Sequence, residues 1–302
     1  MLSIKTPLIQ SLVLSQLNQC QVWLKMEALQ PSASFKQRGI SHACQKYFEQ
    51  GAQRFISSSG GNAGLAVAYT GRQLGVPVTV VVPETTAQRA RELIVQQGAE
   101  VIVHGASWTE ANALAQSLLT QHDVFIHPFD HPLLWEGIIP MIDEVIADGV
   151  TPDAVVLSVG GGSLLSGVAA GLKKHGLAHI PIYTVETQGT ASLHASIVAK
   201  QHVELDQVSG IATTLAAKKV CQNAFEVSQA LEVRSLVVSD QDTVDACLKF
   251  VDDHRILVEP ACGATLSVLY DQAFQFKPTD QVLVIVCGGA GITLETLQAF
   301  NG

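Results

Sequence analysis

Asp153-Ala154-Val155-Val156-Leu157-Ser158-Val159 runs directly into Gly160-Gly161-Gly162-Ser163, and from Leu164 the pattern becomes helical. A short, nearly unbroken apolar run closed by a turn reads as a strand covered on both faces. Strand, glycine turn and helix in that order are the unit of an open, mostly parallel α/β sheet. Ligands bind such sheets beyond the carboxyl ends of the strands, so the same stretch marks a site as well as a fold. Consecutive glycines let backbone N–H groups converge on an anion, and the helix N-terminus adds positive potential. A phosphate is the natural guest. The competing account is a turn whose glycines serve only tight strand–helix packing.

The same unit recurs on both sides. Upstream, Arg54-Phe55-Ile56, Val76 to Val82, Val101-Ile102-Val103 and Val124-Phe125-Ile126 read as strands. They alternate with helices over Ala63 to Leu74, Ala87 to Gln97 and Thr109 to Leu119. The Pro-rich passage His127 to Pro132 reads as a crossing, and Leu133 to Ala147 as one helix. Downstream, Ile182 to Val185, Leu236 to Val238 and Val282 to Val286 read as strands. Helices are expected at Leu164 to Lys174, Gln241 to Val251, Ala264 to Ala273 and Leu294 to Phe300. The pattern predicts two α/β lobes, a small one over 39–135 and a large one over 1–38 and 136–302.

Composition narrows the function. The net charge of −9 leaves no basic stripe for a phosphate backbone, which argues against nucleic acid. No charged and apolar leader opens the sequence, and no apolar run reaches the ~20 residues of a membrane span, so a soluble cytoplasmic protein is expected. The six cysteines, Cys20, Cys44, Cys221, Cys247, Cys262 and Cys287, form no CxxC pair, and the histidines form no HExxH. Neither a disulfide framework nor zinc chemistry is indicated.

Two further strand ends carry polar chemistry. Ser57-Ser58-Ser59-Gly60-Gly61-Asn62-Ala63-Gly64 opens a helix, where hydroxyls, an amide and free N–H groups suit a carboxylate. Val286-Cys287-Gly288-Gly289 closes the last strand; alone, Cys287 reads as a small buried residue. Separate from these stands Pro31-Ser32-Ala33-Ser34-Phe35-Lys36-Gln37-Arg38-Gly39, in a chain with only 18 Lys and Arg. By composition Lys36 and Arg38 fit ordinary surface cations at a helix start. A partly desolvated Lys36 would instead be a reactive amine, able to form a Schiff base. The phosphate loop also admits a dinucleotide reading: Gly160 and Gly162 supply two glycines of GxGxxG and Glu186 a ribose-binding acid, but Leu165 occupies the third position. That reading leaves Lys36 without a task.

Together these stretches resemble the serine/threonine dehydratase branch of the fold-type II pyridoxal-phosphate enzymes, over nearly the whole chain. The similarity lies in S-x-S-F-K-x-R-G at Ser32 to Gly39, S-S-x-G-N-x-G at Ser58 to Gly64 and the tetrad Gly160 to Ser163. Lys25-Met26-Glu27, Pro128-Phe129-Asp130, Trp135-Glu136-Gly137, Val258 to Gly263 and Cys287-Gly288-Gly289 extend it. It is nearest to the short serine dehydratases without a regulatory domain.

The resemblance implies a two-lobed fold like the tryptophan synthase β chain and a lyase that converts L-serine or L-threonine to a keto acid and ammonia. Lys36 would tether the cofactor aldehyde and serve as general base, with Phe35 packed on the ring. Gly160, Gly161, Gly162 and Ser163 would cradle the phosphate, Asn62 would bond the ring hydroxyl, and Cys287 would face the pyridine nitrogen. Ser59, Gly60, Asn62 and Ala63 would hold the substrate carboxylate. A monovalent cation such as potassium would lie near Glu186, Thr190, Ser192, Leu215 and Ala217, and a homodimer is the family habit. A neutral Cys287 favours β-elimination, because the departing hydroxyl carries electrons away and a weaker electron sink suffices. Serine racemases of this fold carry a serine where this chain has Gly60. Other outcomes consistent with the residues are β-replacement, racemisation, or a non-catalytic nucleotide or amino-acid binder.

Overall fold

A computed structural model describes residues 2–300. Its ten strands form two sheets. The larger has the order β1-β2-β10-β7-β8-β9 and the smaller the order β5-β4-β3-β6. The strands are β1 (Leu8–Gln10), β2 (Gln21–Lys25), β3 (Arg54–Ser57), β4 (Val78–Val82), β5 (Glu100–Val103), β6 (Asp123–Phe125), β7 (Ala154–Ser158), β8 (Ile182–Thr187), β9 (Val233–Val238) and β10 (Gln281–Ile285). Every pairing is parallel except that of the edge strand β1 with β2. β7 and β4 are buried at all positions, as central parallel strands covered by helices must be.

The helices are α1 (Leu12–Asn18), α2 (Lys36–Glu49), α3 (Asn62–Leu74), α4 (Gln88–Gln96), α5 (Trp108–Ser117), α6 (Pro132–Glu136), α7 (Pro140–Ala147), α8 (Ser163–Lys174), α9 (Ser192–Ala199), α10 (Gln222–Ala230), α11 (Asp240–His254), α12 (Pro260–Tyr270) and α13 (Leu294–Phe300). Two departures from the sequence reading have clear causes. The single helix expected over Leu133 to Ala147 is two, α6 and α7, because Pro140 cannot donate to the preceding turn and starts a new helix at its first position. α12 begins at Pro260 rather than Ala264, for the same reason: proline is tolerated in a first turn. The sequence reading also missed β1, β2, α1, α9 and α10.

β2 lies one strand in from the edge of the larger sheet, between β1 and β10, and pairs with β10 from Gln21↔Gln281 to Lys25↔Ile285. The N-terminal strand therefore delivers the chain into α2 beside the end of β10. The larger core gathers both faces of that sheet, and a second core packs α2 and α3 on β3 and β4. Among the described residues no helix is long and apolar enough to cross a membrane.

Candidate active site

Lys36 is the first residue of α2, and a backbone bridge places it. The Phe35 N–H donates to the Cys287 carbonyl at 3.0 Å, and the Gly289 N–H to the Ala33 carbonyl at 2.8 Å. The lysine loop and the end of β10 are thus one unit, although more than 250 residues of chain separate them. The approach is close. A Cβ on Gly288 would lie 2.3 Å from the Ala33 carbonyl oxygen, and Gly288 has φ of +94°. Ala33 itself sits in the left-handed region at φ 59°, a conformation that costs a non-glycine residue about 1–3 kcal/mol.

From there the Lys36 amine reaches the phosphate-type loop. Its Nζ donates to the Pro128 carbonyl at 2.8 Å and to Ser163 Oγ at 3.1 Å. It lies 5.1 Å from the Phe35 ring centroid and 6.0 Å from that of Phe129. Ile40, Leu134 and Ile138 help line a small cavity beside the lysine. Burial pushes the Lys36 amine down from 10.5 to about 8, against the opposing pull of the Glu259 carboxylate. Arg38, two residues on, is not a surface cation: it is buried in an ion-pair network with Glu27 and Glu144.

The loop after β7 has the shape of an anion cradle. Gly162 caps α8 at φ +91°, and Cβ atoms on Gly160 and Gly161 would meet Leu215 Cα at 2.8 Å and the Phe129 ring at 2.1 Å. The loop is therefore closed on its outer side by Phe129 and the 213–215 turn. The first hydrogen bond inside α8 runs from Ser166 N–H to the Gly162 carbonyl, so the earlier first-turn N–H groups are not used by the helix.

α3 offers a second such start. Its first internal bond is Leu65 N–H to the Gly61 carbonyl, which leaves the N–H groups of Asn62, Ala63 and Gly64 outside the helical ladder. Ser59 and Gly60 are half-buried beside them, and a Cβ on Gly64 would sit 1.7 Å from the Ser59 carbonyl oxygen, so only glycine lets the serine turn fold back. Asn62 donates from Nδ2 to Glu259 Oε1 at 2.7 Å and accepts at Oδ1 from the Ala290 N–H at 3.3 Å. The small sheet's Asn62 thereby meets the same β10 exit that holds Cys287.

Cys287 is buried and lies 3.6 Å from Ser158 Oγ at the end of β7. A hydrogen bond with Cys262 and burial both push its thiol well up, so it stays protonated and neutral. The dinucleotide alternative loses its acid. Both Glu186 oxygens accept backbone N–H groups at the start of α9, from Leu193 at 2.8 Å and His194 at 2.7 Å, and burial pushes that carboxyl up to about 8. Glu186 near the end of β8, Thr190 on the β8–α9 connection and Ser192 at the start of α9 are neighbours in the chain, whereas Leu215 and Ala217 belong to the turn behind Gly160. Among the described residues no cluster of three or more His, Cys, Asp or Glu could hold a metal.

Lys36, Phe35, Ser163, Gly160 to Gly162, Asn62 and Cys287 are thus joined through direct contacts or shared neighbours. The residues present fit pyridoxal phosphate: an amine with a lowered pKa faces a glycine cradle at a helix start, with a neutral thiol on the adjoining strand end. Sequence reasoning gave no role to Glu259, Thr214, Phe129 or Ser158. The one available signal for Glu259 was an acid directly before a helix-starting proline.

The family of pyridoxal-phosphate dependent enzymes matches residues 2–288 of the chain. The chain is 46% identical to the L-serine dehydratase of Dictyostelium discoideum, over 98% of its own length and 91% of the relative's. It is 43% identical to the human L-serine dehydratase/L-threonine deaminase, over 99% of its length and 95% of the relative's. A solved fungal L-serine ammonia-lyase from Rhizomucor miehei superposes with a TM-score of 0.94 at 35% identity, covering 99% of this chain and 98% of that one.

Proposed function

The chain belongs to the family of pyridoxal-phosphate dependent enzymes, and on that premise we propose that it is an L-serine/L-threonine dehydratase. It removes water from the amino acid by α,β-elimination, and hydrolysis of the resulting enamine, which takes up a water again, releases pyruvate or 2-oxobutyrate with ammonia. The observation that carries this reading is the Lys36 amine, lowered to about 8, lying 3.1 Å from Ser163 Oγ at the mouth of the glycine cradle. The relatives' dehydratase names support the same substrate class.

Bound pyridoxal phosphate supplies the electron sink that makes the substrate Cα proton removable. Lys36 would hold it covalently at rest and, as a free amine, would take that proton as general base. Gly160, Gly161, Gly162 and Ser163 would hold the phosphate through N–H groups and a hydroxyl. Ser59, Gly60, Asn62 and Ala63 hold the substrate carboxylate at the start of α3, which fixes the Cα–H bond relative to Lys36. Cys287, a neutral thiol, would serve as the partner of the ring nitrogen, which suits elimination. Gly60 leaves no second base on the far side, and a Cβ there would lie 2.5 Å from Thr86 Cγ2, so Thr86 would have to turn away to admit a serine. Elimination is therefore favoured over racemisation.

The lobe division at 38/39 and 135/136 belongs to the same reading, since β3 to β6 lie between those points and form their own sheet. A potassium ion held at Glu186, Thr190 and Ser192 has one supporting feature, a buried Ser192 Oγ with no hydrogen-bond partner. Equal turnover in potassium, sodium and tetramethylammonium salts would remove the ion from the site.

The main test is an absorbance spectrum of the purified protein before and after adding L-serine, with keto acid measured in the same sample. Yellow protein that releases pyruvate is the expected result. Lys36→Ala should release none while still binding inorganic phosphate competitively with the cofactor. D-serine without pyruvate would overturn the assignment.

A further inference from the structure

Glu259 is the N-cap residue of α12, with extended backbone at φ −79° and ψ 162°, yet its carboxylate does not cap its own helix. It points instead at two side chains from elsewhere in the fold. Oε1 accepts from Asn62 Nδ2 at 2.7 Å and from Thr214 Oγ1 at 2.7 Å. The residue is 6% exposed, and Gly289 is bare where it passes: a Cβ there would fall 2.0 Å from the Glu259 carboxyl carbon. A buried acid that forgoes its own helix start must be held by what it binds.

The donor and acceptor inventory shows what that binding does. Oε1 is an acceptor toward both neighbours, so the end of the Asn62 amide facing it must be the NH₂. The Ala290 N–H is a donor only, so the other end must be the carbonyl, as its 3.3 Å bond to Oδ1 has it. Glu259 and Ala290 together fix an amide that could otherwise flip, leaving one N–H and one lone pair of Asn62 uncommitted. Thr214 completes the tie, since its carbonyl oxygen lies 3.0 Å from where a Gly160 Cβ would be, against the phosphate-type loop. Burial pushes the Glu259 carboxyl up to about 7 despite the pull of Thr214, Asn62 and Lys36. Because both donors use Oε1, a proton on Oε2 leaves the arrangement intact.

We propose that Glu259 is a positioning residue: it sets the orientation of the Asn62 amide toward the cofactor ring and ties the start of α3 to the 213–215 turn behind the phosphate loop. This rests on the reading in which Asn62 faces the cofactor, but not on the identity of the amino-acid substrate.

The test is a double-mutant cycle read by pyridoxal-phosphate titration of cofactor-free protein, so no turnover is needed. Glu259→Ala should weaken cofactor binding about tenfold in the native background and less than twofold in the Asn62→Ala background. Glu259→Gln, whose carbonyl can accept from the same two donors, should restore binding to within about twofold. An equal loss in both backgrounds would show that Glu259 acts independently of Asn62, and no loss would show that it positions nothing. Either result overturns the proposal. Should Glu259→Ala fail to fold, Glu259→Asp, one methylene short of Asn62, must show the same dependence on Asn62 or the proposal falls. Protein that passes this cycle but releases no keto acid from L-serine would refute the dehydratase assignment alone.

Discussion

Lys36 carries two opposed influences, and their balance sets when it can react. Burial beside Ile40, Leu134 and Ile138 disfavours the ammonium, while the Glu259 carboxylate favours it; burial prevails and brings the amine from 10.5 to about 8. Only the neutral amine attacks an aldehyde, and lowering the pKa enlarges that fraction at any pH below it. The rate at which cofactor-free protein captures pyridoxal phosphate should therefore rise with pH up to about 8 and level off beyond it. Rapid-mixing absorbance between pH 6.5 and 10 measures this, and a rate still climbing tenfold per unit at pH 10 would place Lys36 in a water-like setting. The motif around Lys36 pointed to its chemistry, but its burial was not readable there. The cavity wall comes from α6 and the chain after it, and the carbonyl it bonds from Pro128, nearly a hundred residues away. Glu259 was harder still, because its meaning lies in Asn62 and Thr214, neither of them near it in sequence.

At the level of elements, three glycines explain how the helices around Lys36 come so close. A Cβ on Gly39 of α2 would lie 2.4 Å from the Leu134 carbonyl oxygen of α6, and one on Gly137 would meet the Arg38 carbonyl at 2.7 Å. One on Gly167 of α8 would meet Ile138 Cβ at 2.4 Å. The glycines of K-x-R-G and W-E-G are therefore contact points between helices, with no positive φ at any of the three. Gly39→Ala should destabilise the protein by about 1–3 kcal/mol, since the obstacle is backbone and cannot rotate away. Gly291→Ala, which has nothing within 4 Å, is the control and should leave the melting temperature within a degree or two. Equal melting curves for the two variants would refute the packing role of Gly39. The alternation that reveals most strands and helices is a pattern of faces, and it reports such contacts only as unexplained glycines. It also failed where elements are short or polar: β1 has three residues with two of them exposed, and the apolar start of α1 lies outside, Leu12 being 70% exposed.

Across the whole molecule, the two-lobed α/β plan was legible because both halves repeat the strand–helix unit. The placement of β2 against β10 was not, since Val22 pairs with Val282 and no local pattern encodes a partner that distant. A buried charge network fastens the junction of β2 with α2 and α7. Arg38 of α2 binds Glu27 at 2.7 and 2.9 Å and Glu144 of α7 at 2.7 and 2.6 Å, while Lys25 of β2 binds Glu144 at 2.5 Å and the Thr6 carbonyl at 2.7 Å. Lys25 and Glu27 are fully buried and Arg38 nearly so, which makes two cations and two carboxylates a neutral set whose members depend on one another. Arg38→Met leaves Glu27 without its bidentate partner, and an uncompensated buried charge costs about 3–5 kcal/mol. Urea denaturation of cofactor-free protein should show that loss, with much of it recovered in Arg38→Met/Glu27→Gln because the stranded charge is then gone. Lys5 supplies the contrast: it pairs with Asp148 at the surface with 56% of its side chain exposed, and Lys5→Ala should cost about 0–1 kcal/mol. Similar losses for Arg38→Met and Lys5→Ala would mean that the network does not hold the junction. A large loss from Arg38→Met that Glu27→Gln does not relieve would locate the effect in packing of the arginine stem rather than in its charge.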